Sequence, residues 1–151
     1  MRTINDWFGE YNESHRNATN KLIHWICVPA IVFSVIGMLA TIPFPLNAPY
    51  LHWGTVAIAA SLLFYFRLSL PVALGMVGYG VIALVLVEAI AKAGLSVWWV
   101  SLSVFIVAWI GQFIGHHIEG KKPSFFKDLQ FLLIGPAWVI SFLYRKLGIR
   151  Y

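Results

Sequence analysis

The chain has 151 residues, of which 60% are hydrophobic and 11% charged, and it carries a formal net charge of +5. A soluble globular domain is about one quarter charged, and a chain of this size could not hide so much apolar surface from water. The composition therefore excludes an ordinary soluble domain, and with it the reading of the positive charge as a nucleic-acid footprint. A single cysteine, Cys27, excludes an intrachain disulfide. No internal repeat or low-complexity stretch divides the chain, and residues 1–151 read as one integral membrane domain. No secretory signal peptide is visible, because a polar segment with both signs of charge precedes the first apolar run near Ile23.

Taken in chain order, the N-terminal segment places Ile4, Phe8, Tyr11 and His15 at helical spacing, with Trp7 beside them and Asp6, Glu10 and Glu13 elsewhere on the wheel. That pattern predicts an amphipathic helix lying at the membrane interface. A spanning helix needs about 20 mostly apolar residues, and residues 23–42 supply one without a charge. Pro43, Pro45 and Pro49 then break the helix, since proline locks φ and removes a backbone donor. Residues 53–70 form a second candidate, ended at Leu70-Pro71. Residues 71–91 form a third, with Gly75, Gly78 and Gly80 allowing close helix approach. Residues 97–115 form a fourth. Residues 129–144 are apolar but short and interrupted by Gly135-Pro136, which predicts a re-entrant or interfacial segment. The expected fold is all-α: a polytopic membrane bundle of about four transmembrane helices, an N-terminal amphipathic helix and a short C-terminal apolar or re-entrant segment.

With the N-terminus in the cytoplasm and four crossings, the cytoplasmic side holds Arg2, Arg16, Lys21, Arg67, Lys121, Lys122, Lys127, Arg145, Lys146 and Arg150, and the other side only Lys92. Such an asymmetry obeys the positive-inside rule. The same topology brings His15, His24, His116 and His117 to the cytoplasmic boundary and leaves His52 on the opposite side, where a structural role is expected. Glu88 falls near that opposite face too, within i,i+4 reach of Lys92.

Two polar stripes stand out. Trp109, Gln112, His116 and Glu119 share one face of the fourth helix, and Asn17, Asn20 and His24 share one face of the first. His117 lies about 100° from the former stripe. An amide within the membrane is costly without a partner, so two polar stripes at one depth hide from lipid by facing each other. Imidazole suits iron, zinc and copper. Several histidines with a nearby carboxylate suit non-heme Fe(II) in particular. Asn20, Gln112 and Glu119 are then candidates to orient the ligands from behind. The plainer reading is that these histidines cap helix ends and meet headgroup phosphates.

Tyr11, His15, Asn20, His24 and Pro29 resemble one signature of the Mpo-type family of small membrane proteins, and Gln112-Phe113-Ile114-Gly115-His116 with Glu119 and Pro123 resembles its second. The resemblance spans nearly the whole chain. Two local departures are Cys27, where the family often has a glycine before Val28-Pro29, and the absence of an acidic residue after Pro136. The resemblance implies an Fe(II)-dependent dioxygenase, with Fe(2+) as cofactor, that shortens a 2-hydroxy fatty acid by one carbon with O2. It implies His15, His24 and His116 as catalytic metal ligands, with His117 beside the second signature as a further ligand. Lys21, Lys121 and Lys122 are candidates to hold the acidic headgroup. The site would face the cytoplasm from a bacterial cytoplasmic membrane or, in a eukaryote, the endoplasmic reticulum, among membrane lipids. Three rivals are weighed. A membrane diiron hydroxylase needs more histidines than the five present. A heme carrier would use two axial histidines such as His24 and His116. A scaffold or lipid-binding protein would tolerate alanine throughout the polar stripes.

Overall fold

The structure, a computed structural model, describes residues 3–46, 50–120 and 131–151. Among these residues it contains six helices and no strand: α1 (Ile4–Glu13), α2 (Ala18–Ala40), α3 (Trp53–Leu68), α4 (Leu70–Lys92), α5 (Val97–Glu119) and α6 (Ile134–Lys146). The start signals are local. Thr3 and Asp6 form a reciprocal capping box on α1, the Asn17 side chain accepts from Thr19 N and Asn20 N, and Ser69 and Ser96 cap α4 and α5. His52, on which a structural role was expected, caps α3 by accepting from Thr55 N through Nδ1. Desolvation holds its pKa below the ordinary histidine value, which favours that neutral acceptor form. Gly120 ends α5 in the left-handed region at φ 72°.

Helices α2, α4 and α5 are long and apolar enough to cross a membrane, and the all-helical membrane bundle expected from the sequence is the architecture found. The second expected crossing, α3, has 16 residues, about 24 Å at helical rise against a hydrocarbon core of about 30 Å. Large apolar side chains such as Leu22, Ile26, Leu63, Val85 and Val107 point outward, as lipid-facing side chains do. Helix α6 has 13 residues, about 20 Å, shorter than a hydrocarbon core of about 30 Å. Gly135-Pro136 does not interrupt it: proline sits in the first turn, where no intrahelical N–H is needed. Residues 121–130, which include Lys121, Lys122, Pro123 and the start of the expected C-terminal segment, lie outside the described residues.

The pair α2 and α5 is antiparallel and close. Asn20 meets Gly115 and Glu119, His24 meets His116, Cys27 meets Gly111, and Gly37 meets Ser101. The small residues Gly111 and Gly115 sit one turn apart on α5, and a Cβ on either would collide with Cys27 Sγ or Asn20 Oδ1. At the end of the bundle that carries the histidines, α1 buries Ile4, Phe8 and Tyr11 against Ile134, Ala137 and Trp138 of α6. The apolar face of α1 thus covers protein rather than lipid. Trp138 Nε1 donates to Asn12 Oδ1 at 2.9 Å, and Tyr65 Oη donates to Leu133 O at 2.5 Å, tying α6 to α1 and α3.

Candidate functional site

Three histidines meet where α1, α2, α5 and α6 come together. His15 lies on the connection between α1 and α2, His24 on the second turn of α2, and His116 one turn from the end of α5. All three are buried, at 4%, 1% and 7% exposure. Their ring centroids lie 4.2 Å apart for His15 and His24, 5.1 Å for His24 and His116, and 6.0 Å for His15 and His116.

Two of the rings have their tautomer set by the backbone. His15 Nδ1 is 2.6 Å from Tyr11 O, and His24 Nδ1 is 2.9 Å from Asn20 O. A carbonyl only accepts, so each Nδ1 carries the proton, and in the neutral ring the lone pair sits on Nε2. This is how a metal-binding imidazole is commonly prepared from behind. The His15 ring also stacks on Tyr11, with centroids 4.1 Å apart and planes 7° from parallel, and touches Trp138 at 5.4 Å.

A carboxylate locks the arrangement from the far end of α5. Glu119 accepts from Arg16 N at 2.8 Å, Asn17 N at 2.9 Å and Asn20 Nδ2 at 2.9 Å. It therefore satisfies backbone donors at the start of α2, where a negative charge also meets the positive end of the helix dipole. The contact runs from Glu119 through Asn20 to the carbonyl that holds His24.

A cavity of about 50 Å³ lies against these rings. His15, His24 and His116 line it together with Trp109, Gln112 and Tyr11, and Val28, Ile31, Phe131 and Leu132 complete the wall. Beside it an open cleft of about 480 Å³ is bordered by His15 and by Arg16, Lys21 and Arg145, which outnumber the carboxylate of Glu13 there.

The fold thus brings together His15, His24, His116, Asn20, Gln112 and Glu119, and sets Lys21 at the neighbouring cleft. His117, expected as a further ligand, is exposed on the other side of α5 and does not line the cavity. The helical period that carries His116 inward carries its neighbour outward. Lys121 and Lys122 lie outside the described residues. Glu88 pairs with Lys92 at 3.3 Å, both partly exposed and remote from the histidines. Tyr11 was legible as an apolar-face residue and as part of the first signature, and the structure adds that its carbonyl and ring position His15. Trp109 was legible as part of a stripe, yet it lines the cavity. Among the described residues no three His, Cys, Asp or Glu side chains are arranged as a ready-made metal-holding group. The arrangement is a packed imidazole cluster rather than a formed chelate.

A family model described as "Mpo1-like: 2-hydroxy-palmitic acid dioxygenase Mpo1-like" matches residues 1–147. A Saccharomyces cerevisiae protein named 2-hydroxy-palmitic acid dioxygenase MPO1 is 32% identical over 145 residues, covering 93% of this chain and 79% of that protein. No solved structure matches the chain.

Proposed function

The chain belongs to the Mpo1-like family, and on that premise we propose that it is an Fe(II)-dependent dioxygenase shortening 2-hydroxy fatty acids by one carbon. The observation that carries this reading is the buried cluster of His15, His24 and His116, two of whose rings are held as Nδ1–H tautomers by backbone carbonyls. Such a donor set fits a ferrous ion by its chemistry: neutral imidazoles, no thiolate, and a cavity beside them for small oxygen ligands.

Bound there, iron would supply Lewis acidity and redox chemistry. The remaining work falls to the chain. Tyr11 and Asn20 hold two imidazoles in orientation through their carbonyls, and Glu119 holds Asn20. Val28, Ile31 and Phe131 keep the cavity wall apolar and limit water. Arg16, Lys21 and Arg145 at the adjoining cleft attract a carboxylate at the interface. In this reading the head of the 2-hydroxy acid enters the cavity and its acyl chain lies along the outer helix faces among lipid. The overall change, R–CH(OH)–COOH + O2 giving R–COOH + CO2 + H2O, balances without an outside reductant, because the substrate supplies every electron that dioxygen takes.

The test is elemental analysis of anaerobically purified protein supplied with Fe(II), beside a His116→Ala control, followed by turnover of 2-hydroxypalmitate. About one iron per chain, lost in the control, is the expected outcome. An absence of transition metal from the wild type, or full iron and full activity in the control, would overturn the assignment.

A further inference from the structure

Two buried donors in the histidine cavity lack any acceptor among the described residues: Trp109 Nε1 and Gln112 Nε2. Gln112 is 5% exposed, and both side chains line the same cavity as His15, His24 and His116. They sit three residues apart, one turn of α5, so both project toward α2. An N–H group left unpaired in such surroundings is costly, and buried polar groups are satisfied as a rule. What is missing is therefore an acceptor. Indole N–H can only donate, and so can the amide nitrogen of glutamine. A ligand that only accepts, through two oxygens, matches this pair, whereas a protonated amine, which only donates, does not.

We propose that Trp109 and Gln112 bind the carboxylate of the substrate, donating from Nε1 and Nε2 to its oxygens beside the imidazoles. This deepens the proposed reaction and rests on it. The cationic cleft of Arg16, Lys21 and Arg145 collects the acid at the membrane surface, and the donor pair fixes it next to the histidines. The pair also sets specificity: free acids are bound more tightly than esters, whose carbonyl carries no charge. Hydrogen bonds to charged groups are about twice as strong as neutral ones.

The experiment uses iron-loaded protein in lipid nanodiscs under anaerobic conditions and measures equilibrium binding of radiolabelled 2-hydroxypalmitate and of its methyl ester. Two variants keep the side-chain shape and remove the donor: Trp109→Phe and Gln112→Met. The expected result is that each weakens acid binding about tenfold or more and leaves ester binding and iron content unchanged. With oxygen admitted, KM rises further than kcat falls. Unchanged acid binding in both variants would overturn the proposal, since the donors would then face only water. Equal loss of acid and ester binding would also overturn it, because it would mark a packing role. If the wild type binds the acid through these residues but does not turn it over, the reaction fails and the binding site stands. If the wild type turns over and both variants keep its KM, the binding site fails and the reaction stands.

Discussion

His116 and His117 are neighbours in the chain and part company in the fold. His116 is buried with its ring 5.1 Å from His24, and His117 faces outward. A single residue step turns a helix by about 100°, so two adjacent histidines cannot both enter one cavity from a regular helix. A sharp contrast follows. His117→Ala is expected to keep iron content and activity within about twofold. His15→Ala and His24→Ala should each lower iron affinity by more than about a hundredfold, beyond the effect of disturbing a group behind a ligand. Iron titrations on the three variants decide it, and equal loss in all three would return His117 to the site. His15 itself shows what periodicity misses. It continues the spacing of Ile4, Phe8 and Tyr11, but it sits beyond the end of α1 on the turn into α2. The Tyr11 carbonyl and ring then hold it in place.

Helices α2 and α5 form the platform of the site, and their close approach depends on glycine. A Cβ at Gly111 would stand 2.5 Å from Cys27 Sγ but 3.9 Å from Cys27 Cβ. Only the sulfur is in the way. Gly111→Ala alone is therefore expected to destabilise the protein by about 1–3 kcal/mol through overpacking. Cys27→Ala should relieve most of that, with a coupling of at least about 0.5 kcal/mol. A double-mutant cycle measured by unfolding in mixed detergent micelles checks this, and strictly additive effects would refute the contact. The same pairing explains why Cys27 is tolerated where the resembling family often has glycine: Gly111 across the interface makes the room. Helix α6 gives a second lesson. Gly135-Pro136 reads as an interruption along the chain, yet it opens the helix. A Cβ at Gly135 would come within 3.0 Å of Val28 and 3.2 Å of Tyr11 Oη, so glycine there lets α6 close over α1 and α2.

At the scale of the molecule, charge and chemistry share one end. Arg16, Lys21 and Arg145 border the cleft beside His15, whereas Lys92 closes α4 at the far end with Glu88. By the positive-inside rule the histidine end is expected to face the cytoplasm. In a Cys27→Ala background, a cysteine introduced by Lys146→Cys is expected to react with a membrane-impermeant thiol reagent in inverted vesicles. One introduced by Lys92→Cys should react in right-side-out vesicles. The opposite pattern would place the site on the other face.

Much of this was legible in the chain alone. Composition demanded a lipid-facing helical bundle, because so many apolar residues can be satisfied only by lipid. The periods of Trp109, Gln112, His116 and Glu119, and of Asn17, Asn20 and His24, marked one face on each of two helices. Periodicity defines a face but not what that face meets. Only the tertiary structure decided that α1 packs on α6 instead of lying on lipid, that Tyr11 and Asn20 carbonyls set two imidazole tautomers, and that Glu119 caps the start of α2. Those contacts join residues as far apart as 103 positions in the bond from Arg16 N to Glu119, and 126 in the bond from Trp138 to Asn12. They depend on which glycines let two backbones approach, a property of two surfaces together that neither helix carries in its own sequence pattern.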